Sequence, residues 1–167
     1  STVPVGPALN ITSVVADALR VAYHQTDSDG TPLKLIHRDI KPSNIQLTPA
    51  GEVKILDFGT ARADFDSREA ATRSIAFGTL DYMSPEQRAD ATQTDARSDL
   101  WSLAATLYQV VTGEVPHVMM MEQVPDRLRG VLEVAVKMSP EDRFQSAEEF
   151  RDALRGGADA AVGIGWD

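Results

Sequence analysis

Apolar residues recur at intervals of three and four through Ile11, Val14, Val15, Ala18, Leu19 and Ala22, which predicts an amphipathic helix near the N-terminal end. The polar run Thr26-Asp27-Ser28-Asp29-Gly30-Thr31-Pro32 is rich in turn formers and stops it. From Asp99 to Thr112 the chain is apolar on most faces, as a buried helix should be, and Gly113 is placed to end it. Leu128, Val131, Leu132, Ala135, Val136 and Met138 predict another helix. Ser146-Ala147-Glu148-Glu149 has the form of a capping box ahead of Phe150, Ala153 and Leu154, with Gly156 at the far end. Between the helical patterns, Ile45-Gln46-Leu47 and Glu52-Val53-Lys54-Ile55-Leu56 alternate around Pro49-Ala50-Gly51, the pattern of a small hairpin. The expected fold class is mainly α with short β-hairpins. Residues 1–155 form one domain, and 156–167 are a flexible Gly/Ala-rich tail in which Trp166 is a stray aromatic.

Composition narrows the classes of function more than it selects one. The chain has 167 residues, 43% apolar and 25% charged, enough for one globular domain with a real core. A formal net charge of −9 argues against nucleic-acid and anionic-membrane partners, which need a basic surface. No run of eighteen apolar residues predicts a membrane span, and no basic stretch followed by an apolar block predicts a signal peptide, so a cytoplasmic location is expected. Zero cysteines exclude disulfides, thiol chemistry and Cys-ligated zinc. His24, His37 and His117 show no metal-ligand spacing; His37 reads as a packing residue.

The candidate chemistry lies in His37-Arg38-Asp39-Ile40-Lys41-Pro42-Ser43-Asn44, with Asp57-Phe58-Gly59 beginning thirteen residues after the Asn. A carboxylate, an ammonium, a carboxamide and a second carboxylate at this spacing are what phosphoryl transfer requires. Asp39 can accept or orient the proton of an incoming hydroxyl. Lys41, two residues on, leaves an extended loop on the same side, where it can neutralise charge on a migrating phosphoryl group. Asn44 and Asp57 offer hard oxygens, the ligands Mg²⁺ prefers, leaving its remaining positions to water and nucleotide phosphates. Alone, each would read as a turn residue or a solvated charge.

From about Ile11 to Leu154 the chain resembles the catalytic domain of eukaryotic-like Ser/Thr protein kinases, particularly their bacterial branch. Lys41 within Arg38-Asp39-Ile40-Lys41-Pro42 resembles the Ser/Thr class. The resemblance implies a catalytic loop over 36–45, entered by a short strand at Leu35-Ile36, and an activation segment over 57–86. It implies ATP and Mg²⁺ as cofactors and a protein Ser/Thr hydroxyl as acceptor. Asp39, Lys41, Asn44 and Thr79 would be catalytic; Lys41, Asn44 and Asp57 would hold the nucleotide; Asn44 and Asp57 would hold the metal. Gly78-Thr79-Leu80-Asp81-Tyr82-Met83-Ser84-Pro85-Glu86 is similar to the segment that forms a platform beside the acceptor, with Thr79 bonding Asp39 and Lys41. Glu86 would pair with Arg143, and Asp99-Leu100-Trp101 would start the central helix anchoring the catalytic loop. Ala104 departs from the glycine usual in that helix. Ser67, Thr72, Ser74 and Thr79 of the activation segment are candidate phosphorylation sites, and a phosphate on Thr72 or Ser74 would pair with Arg38.

These residues account for the large, C-terminal lobe of such a kinase and not the small one. There is no Gly-x-Gly-x-x-Gly, since Gly163-Ile164-Gly165 lacks its third glycine, and no strand lysine precedes the loop; Lys34 lies too close. A separate small lobe or partner chain is therefore expected if the site is to clamp ATP. Between Pro116 and Val124 a helix usual in the family is replaced by His117-Val118-Met119-Met120-Met121-Glu122-Gln123, whose methionines are expected to fold back and fill the gap. Two readings stay open: the large lobe of a Ser/Thr kinase, or a non-catalytic kinase-like binding or regulatory module. A metabolite phosphotransferase fits the platform less well.

Overall fold

The computed structural model describes residues 1–58 and 79–163. Helix α1 (Val5–Tyr23) starts well before Ile11. Pro7 falls in its first turn, where a missing N–H costs nothing, and Ala8 already donates to the Pro4 carbonyl at 3.0 Å. Its buried face runs through Ala8, Leu9, Thr12, Ser13, Val15, Ala16 and Leu19, while Val14 is exposed. The apolar stripe in the sequence thus lies slightly off the buried one, because Thr12 and Ser13 are inside it.

The chain then turns through an Asx-type loop, in which Asp27 accepts from the N–H groups of Asp29 and Thr31. Leu35-Ile36 belongs to no strand among the described residues. A single turn at Pro42–Asn44 leads into the hairpin of β1 (Ile45–Leu47) and β2 (Val53–Ile55), antiparallel with Ile45 opposite Ile55 and Leu47 opposite Val53. Gly51 closes its turn at φ 84°, a left-handed conformation that glycine adopts without strain.

Beyond a one-turn helix at Thr79–Tyr82 come the short α2 (Pro85–Ala89) and the central helix α3 (Ala96–Thr112). Asp95 caps α3 by accepting from Arg97 N–H at 2.8 Å, and Gly113 ends it at φ 78° with its N–H on the Gln109 carbonyl. Helix α4 (Asp126–Ala135) stops before the expected end, leaving Met138 exposed. The Lys137 and Met138 carbonyls turn instead toward the Arg143 guanidinium. Helix α5 (Ala147–Gly163) is capped by Ser146, whose hydroxyl accepts from Glu149 N–H, and it continues past Gly156. The expected tail is thus helical through Gly163, where Ala158, Ala160 and Ala161 are strong helix formers. Ile164–Asp167, with Trp166, lie outside the described residues.

One core joins the helices. Leu100, Leu103, Leu107 and Tyr108 of α3 meet Leu9, Val15 and Leu19 of α1, Leu128 and Leu132 of α4, and Phe150 and Leu154 of α5. Each such buried side chain contributes about 1.5–3 kcal/mol relative to exposure. Met119 and Met121 fold back against this core as expected, while Val118 and Met120 stay 66% and 42% exposed. Tyr108 sets that arrangement: its hydroxyl accepts from Met120 N–H at 2.9 Å. Among the described residues no helix is long and apolar enough to cross a membrane.

Candidate active site

The catalytic-loop candidates occupy His37 to Asn44, between α1 and the hairpin, and α3 holds them from beneath. Asp99, in the first turns of α3, accepts from His37 N–H at 2.7 Å and Arg38 N–H at 2.9 Å. Burial pushes the Asp99 carboxyl up, against the pull of the His37 ring and these two N–H groups. The side chain of His37 is 1% exposed and stacks edge-on to Phe58, ring centres 4.7 Å apart. Its Nε2 lies 2.7 Å from the Leu56 carbonyl, and its Nδ1 accepts from Asp39 N–H at 3.1 Å. That network assigns the proton to Nε2 and makes the imidazole a strut between the loop and the residue before Asp57.

Arg38 and Asp57 both adopt left-handed backbone conformations, φ 73° and 63°. Such conformations cost side-chain-bearing residues about 1–3 kcal/mol each and persist where the surroundings over-determine them. At Arg38 the restraint is visible on both sides: Asp99 takes its N–H, and Gln87 Nε2 donates to its carbonyl at 2.9 Å.

Three of the four polar candidates converge by direct contact. Asn44 Nδ2 donates to the Asp39 carbonyl at 2.8 Å and to Asp39 Oδ2 at 3.2 Å, and Lys41 Nζ lies 3.7 Å from the same Oδ2. Asp57 is brought alongside by the backbone, because Leu56 N–H donates to the Asn44 carbonyl at 2.8 Å, and its charge is felt at Asp39. Burial raises the Asp39 carboxyl above its ordinary value; Lys41, His37 and Asn44 pull it down, and Asp57 adds to the rise. Thr79 opens the one-turn helix Thr79–Tyr82; its side chain lies outside the described residues, as do Gly59, Ser67, Thr72, Ser74 and Gly78.

The donor set suits Mg²⁺ held together with a polyphosphate. With its NH₂ group on Asp39, the Asn44 carboxamide keeps its oxygen as acceptor, and Asp57 supplies a carboxylate from the adjoining segment. No group of three or more His, Asp or Glu among the described residues could hold a metal unaided. A cation here would complete its shell with phosphate oxygens and water.

The segment beyond Thr79 is fixed to the same frame. Glu86 takes a two-pronged bond from Arg143, Nη1 to Oε2 at 2.6 Å and Nη2 to Oε1 at 2.8 Å, and Ser98 Oγ donates to Oε2 at 2.8 Å. The remaining Arg143 donors go to the carbonyls of Lys137, Met138 and Arg97, so all five are used. Burial alone would raise the Glu86 carboxyl; Arg143, its own backbone N–H and Ser98 outweigh that and hold it below the usual range. Sequence reasoning named this pair and missed Gln87. Nothing in Gln87's local pattern marks it, because its partner is a backbone carbonyl 49 residues away.

Comparison with known proteins gives a consistent outcome. A family model described as protein kinase domain matches residues 7–156. Tyrosine-protein kinase MasK of Myxococcus xanthus is 36% identical over 173 residues, covering 91% of this chain and 26% of MasK. Serine/threonine-protein kinase PknB of Mycobacterium tuberculosis is 38% identical over 163 residues, covering 84% of this chain and 25% of PknB. Among solved structures, the PknI kinase domain of Mycobacterium tuberculosis superposes with a TM-score of 0.67 at 32% identity, over 94% of this chain and 56% of that domain. The chain therefore spans about a quarter of each curated relative.

Proposed function

The chain belongs to the protein kinase family, and from that premise we propose that it provides the large-lobe half of an active site transferring the ATP γ-phosphate to a protein Ser or Thr hydroxyl. Its helices and hairpin have the large-lobe fold of that family. The observation that carries the reading is the convergence on Asp39: Asn44 bonds its carboxylate, Lys41 lies 3.7 Å from it, and Leu56 links Asn44 to the segment bearing Asp57.

Asp39 is the base. Its half-buried carboxylate has a raised proton affinity, which suits it to take the hydroxyl proton as the oxygen attacks phosphorus. Lys41 stabilises the charge gathering on the migrating group, and Asn44 both orients Asp39 and offers its oxygen to the metal together with Asp57. Bound Mg²⁺-ATP supplies the transferable group and neutralises charge between phosphates. Thr79 belongs to the acceptor platform that Glu86 and Arg143 fix in place. A small lobe, on the same or another polypeptide, covers the nucleotide. The net charge of −9 fits a cytoplasmic protein acting on proteins rather than nucleic acid or membrane.

The test is transfer from labelled Mg²⁺-ATP to a protein acceptor by the kinase carrying this chain, wild type against Asp39→Asn, followed by phosphoamino-acid analysis. Label on Ser or Thr, reduced about 10²–10⁴-fold in Asp39→Asn, is expected. Label on Tyr, the class named for MasK, would overturn the acceptor assignment. Transfer that survives Asp39→Asn would overturn the base. Silence of the wild type would favour a kinase-like binding module.

A further inference from the structure

Arg38 has the least comfortable backbone in the loop, a non-glycine at φ 73° directly before the proposed base. The orientation of the peptide group joining Arg38 to Asp39 decides where the Asp39 side chain leaves the chain. Its N–H donates to His37 Nδ1 at 3.1 Å, and its carbonyl, that of Arg38, receives Gln87 Nε2 at 2.9 Å. The preceding peptide is held by Asp99 through Arg38 N–H. Asp99 and His37 belong to the frame under the loop, whereas Gln87 comes from α2, which directly follows the segment opened by Thr79.

The short α2 is itself firmly placed. Ser84 Oγ caps it by accepting from Gln87 N–H, Glu86 is clamped by Arg143, and Arg88 donates to the Leu80 carbonyl. Gln87 therefore has fixed anchors on its own side and a left-handed peptide on the other. Without that donor, one restraint on the Arg38 carbonyl is lost, and the peptide can rotate toward a commoner conformation.

We propose that Gln87 is a positioning residue: its carboxamide locks the Arg38–Asp39 peptide and so sets the register between the acceptor platform and the base. This rests on the assignment of Asp39 as base made above. A donor at this point keeps Asp39 in the geometry that in-line attack needs, where a misplacement of about 1 Å can cost about 10²-fold in rate.

Hydrogen exchange on the full chain tests the lock without requiring catalysis. Gln87→Met keeps size and removes the donor; Gln87→Lys keeps a donor. In Gln87→Met, protection of the Arg38 and Asp39 amides is expected to fall about 10-fold, while that of Leu103 and Leu107 in α3 stays unchanged, and Gln87→Lys should restore it. In the active kinase, Gln87→Met should lower kcat about 10- to 100-fold with KM for ATP unchanged. Unchanged Arg38 and Asp39 protection overturns the lock. A uniform loss that includes α3 overturns it too, by making Gln87 merely structural. Loosened amides with an unchanged kcat overturn the positioning role. A wild type that transfers nothing counts against the proposed function instead, and the exchange result still decides whether Gln87 holds the peptide.

Discussion

Two partly buried carboxylates, Asp39 in the His37–Asn44 loop and Glu86 in the segment beyond Thr79, are both pushed up by desolvation, yet they shift in opposite directions. Glu86 is engaged by a two-pronged guanidinium, a hydroxyl and its own N–H, and its proton affinity falls. Asp39 has one carboxamide at 3.2 Å, an ammonium at 3.7 Å and another carboxylate nearby, and its proton affinity rises. In this pair the fuller set of hydrogen bonds goes with the lowered carboxyl and the thinner set with the raised one. On the reading of Asp39 as base proposed above, the lobe would keep its reactive group by leaving it incompletely satisfied.

Removing each group should therefore damage a different property. Asp39→Asn is expected to cut transfer about 10²–10⁴-fold while leaving the urea midpoint unchanged or slightly higher, because it removes a poorly compensated buried charge. Arg143→Ala is expected to cost about 3–5 kcal/mol in urea unfolding, since it strands the Glu86 carboxylate in a desolvated site. If Arg143→Ala proved stability-neutral, the contrast would be lost.

Acid should separate the two carboxylates as well. The Asp39 pKa lies above 3.8, so transfer should fall as pH drops through that raised value. Glu86 titrates below 4.5 in the folded state, so its stabilisation is complete above 4.5 and is lost as pH falls through the lower, folded-state value. Asp39 contributes with the opposite sign, because its uptake of protons favours the folded state over its own window. A rate profile set beside circular-dichroism melts in wild type and Glu86→Gln should show the substitution removing the acid-dependent loss of stability assigned to Glu86. An unchanged acid dependence of stability in Glu86→Gln would contradict the assignment. The smallest effect is expected at Tyr108→Phe, about 1 kcal/mol from the lost bond to Met120 N–H, with faster proteolysis of the Val118–Met121 loop as its readout.

The same contrast explains what the sequence disclosed. Elements with regular periodicity were legible: the central helix ends at Gly113, and the hairpin pairs Ile45 with Ile55 around the expected turn. The grouping of residues picked by side-chain type in a motif was legible too: Asp39, Lys41 and Asn44 meet in space. Hidden were features set by partners distant in sequence. Thr12 and Ser13 are polar yet lie in the buried face of α1, and the early stop of α4 goes with a guanidinium that collects the Lys137 and Met138 carbonyls. Gln87 escaped notice for the same reason.

The attachment of His37 and Arg38 to Asp99 also sets an order of assembly. Those bonds close gaps of 62 and 61 residues, and the acceptor carboxylate is in place only once α3 is wound and its neighbours have buried it. Loop closure of that length brings no reward until its destination exists. The loop is therefore expected to close after α3 forms, in which case substitutions at Arg38 should speed unfolding more than they slow refolding, as a denaturant chevron would read.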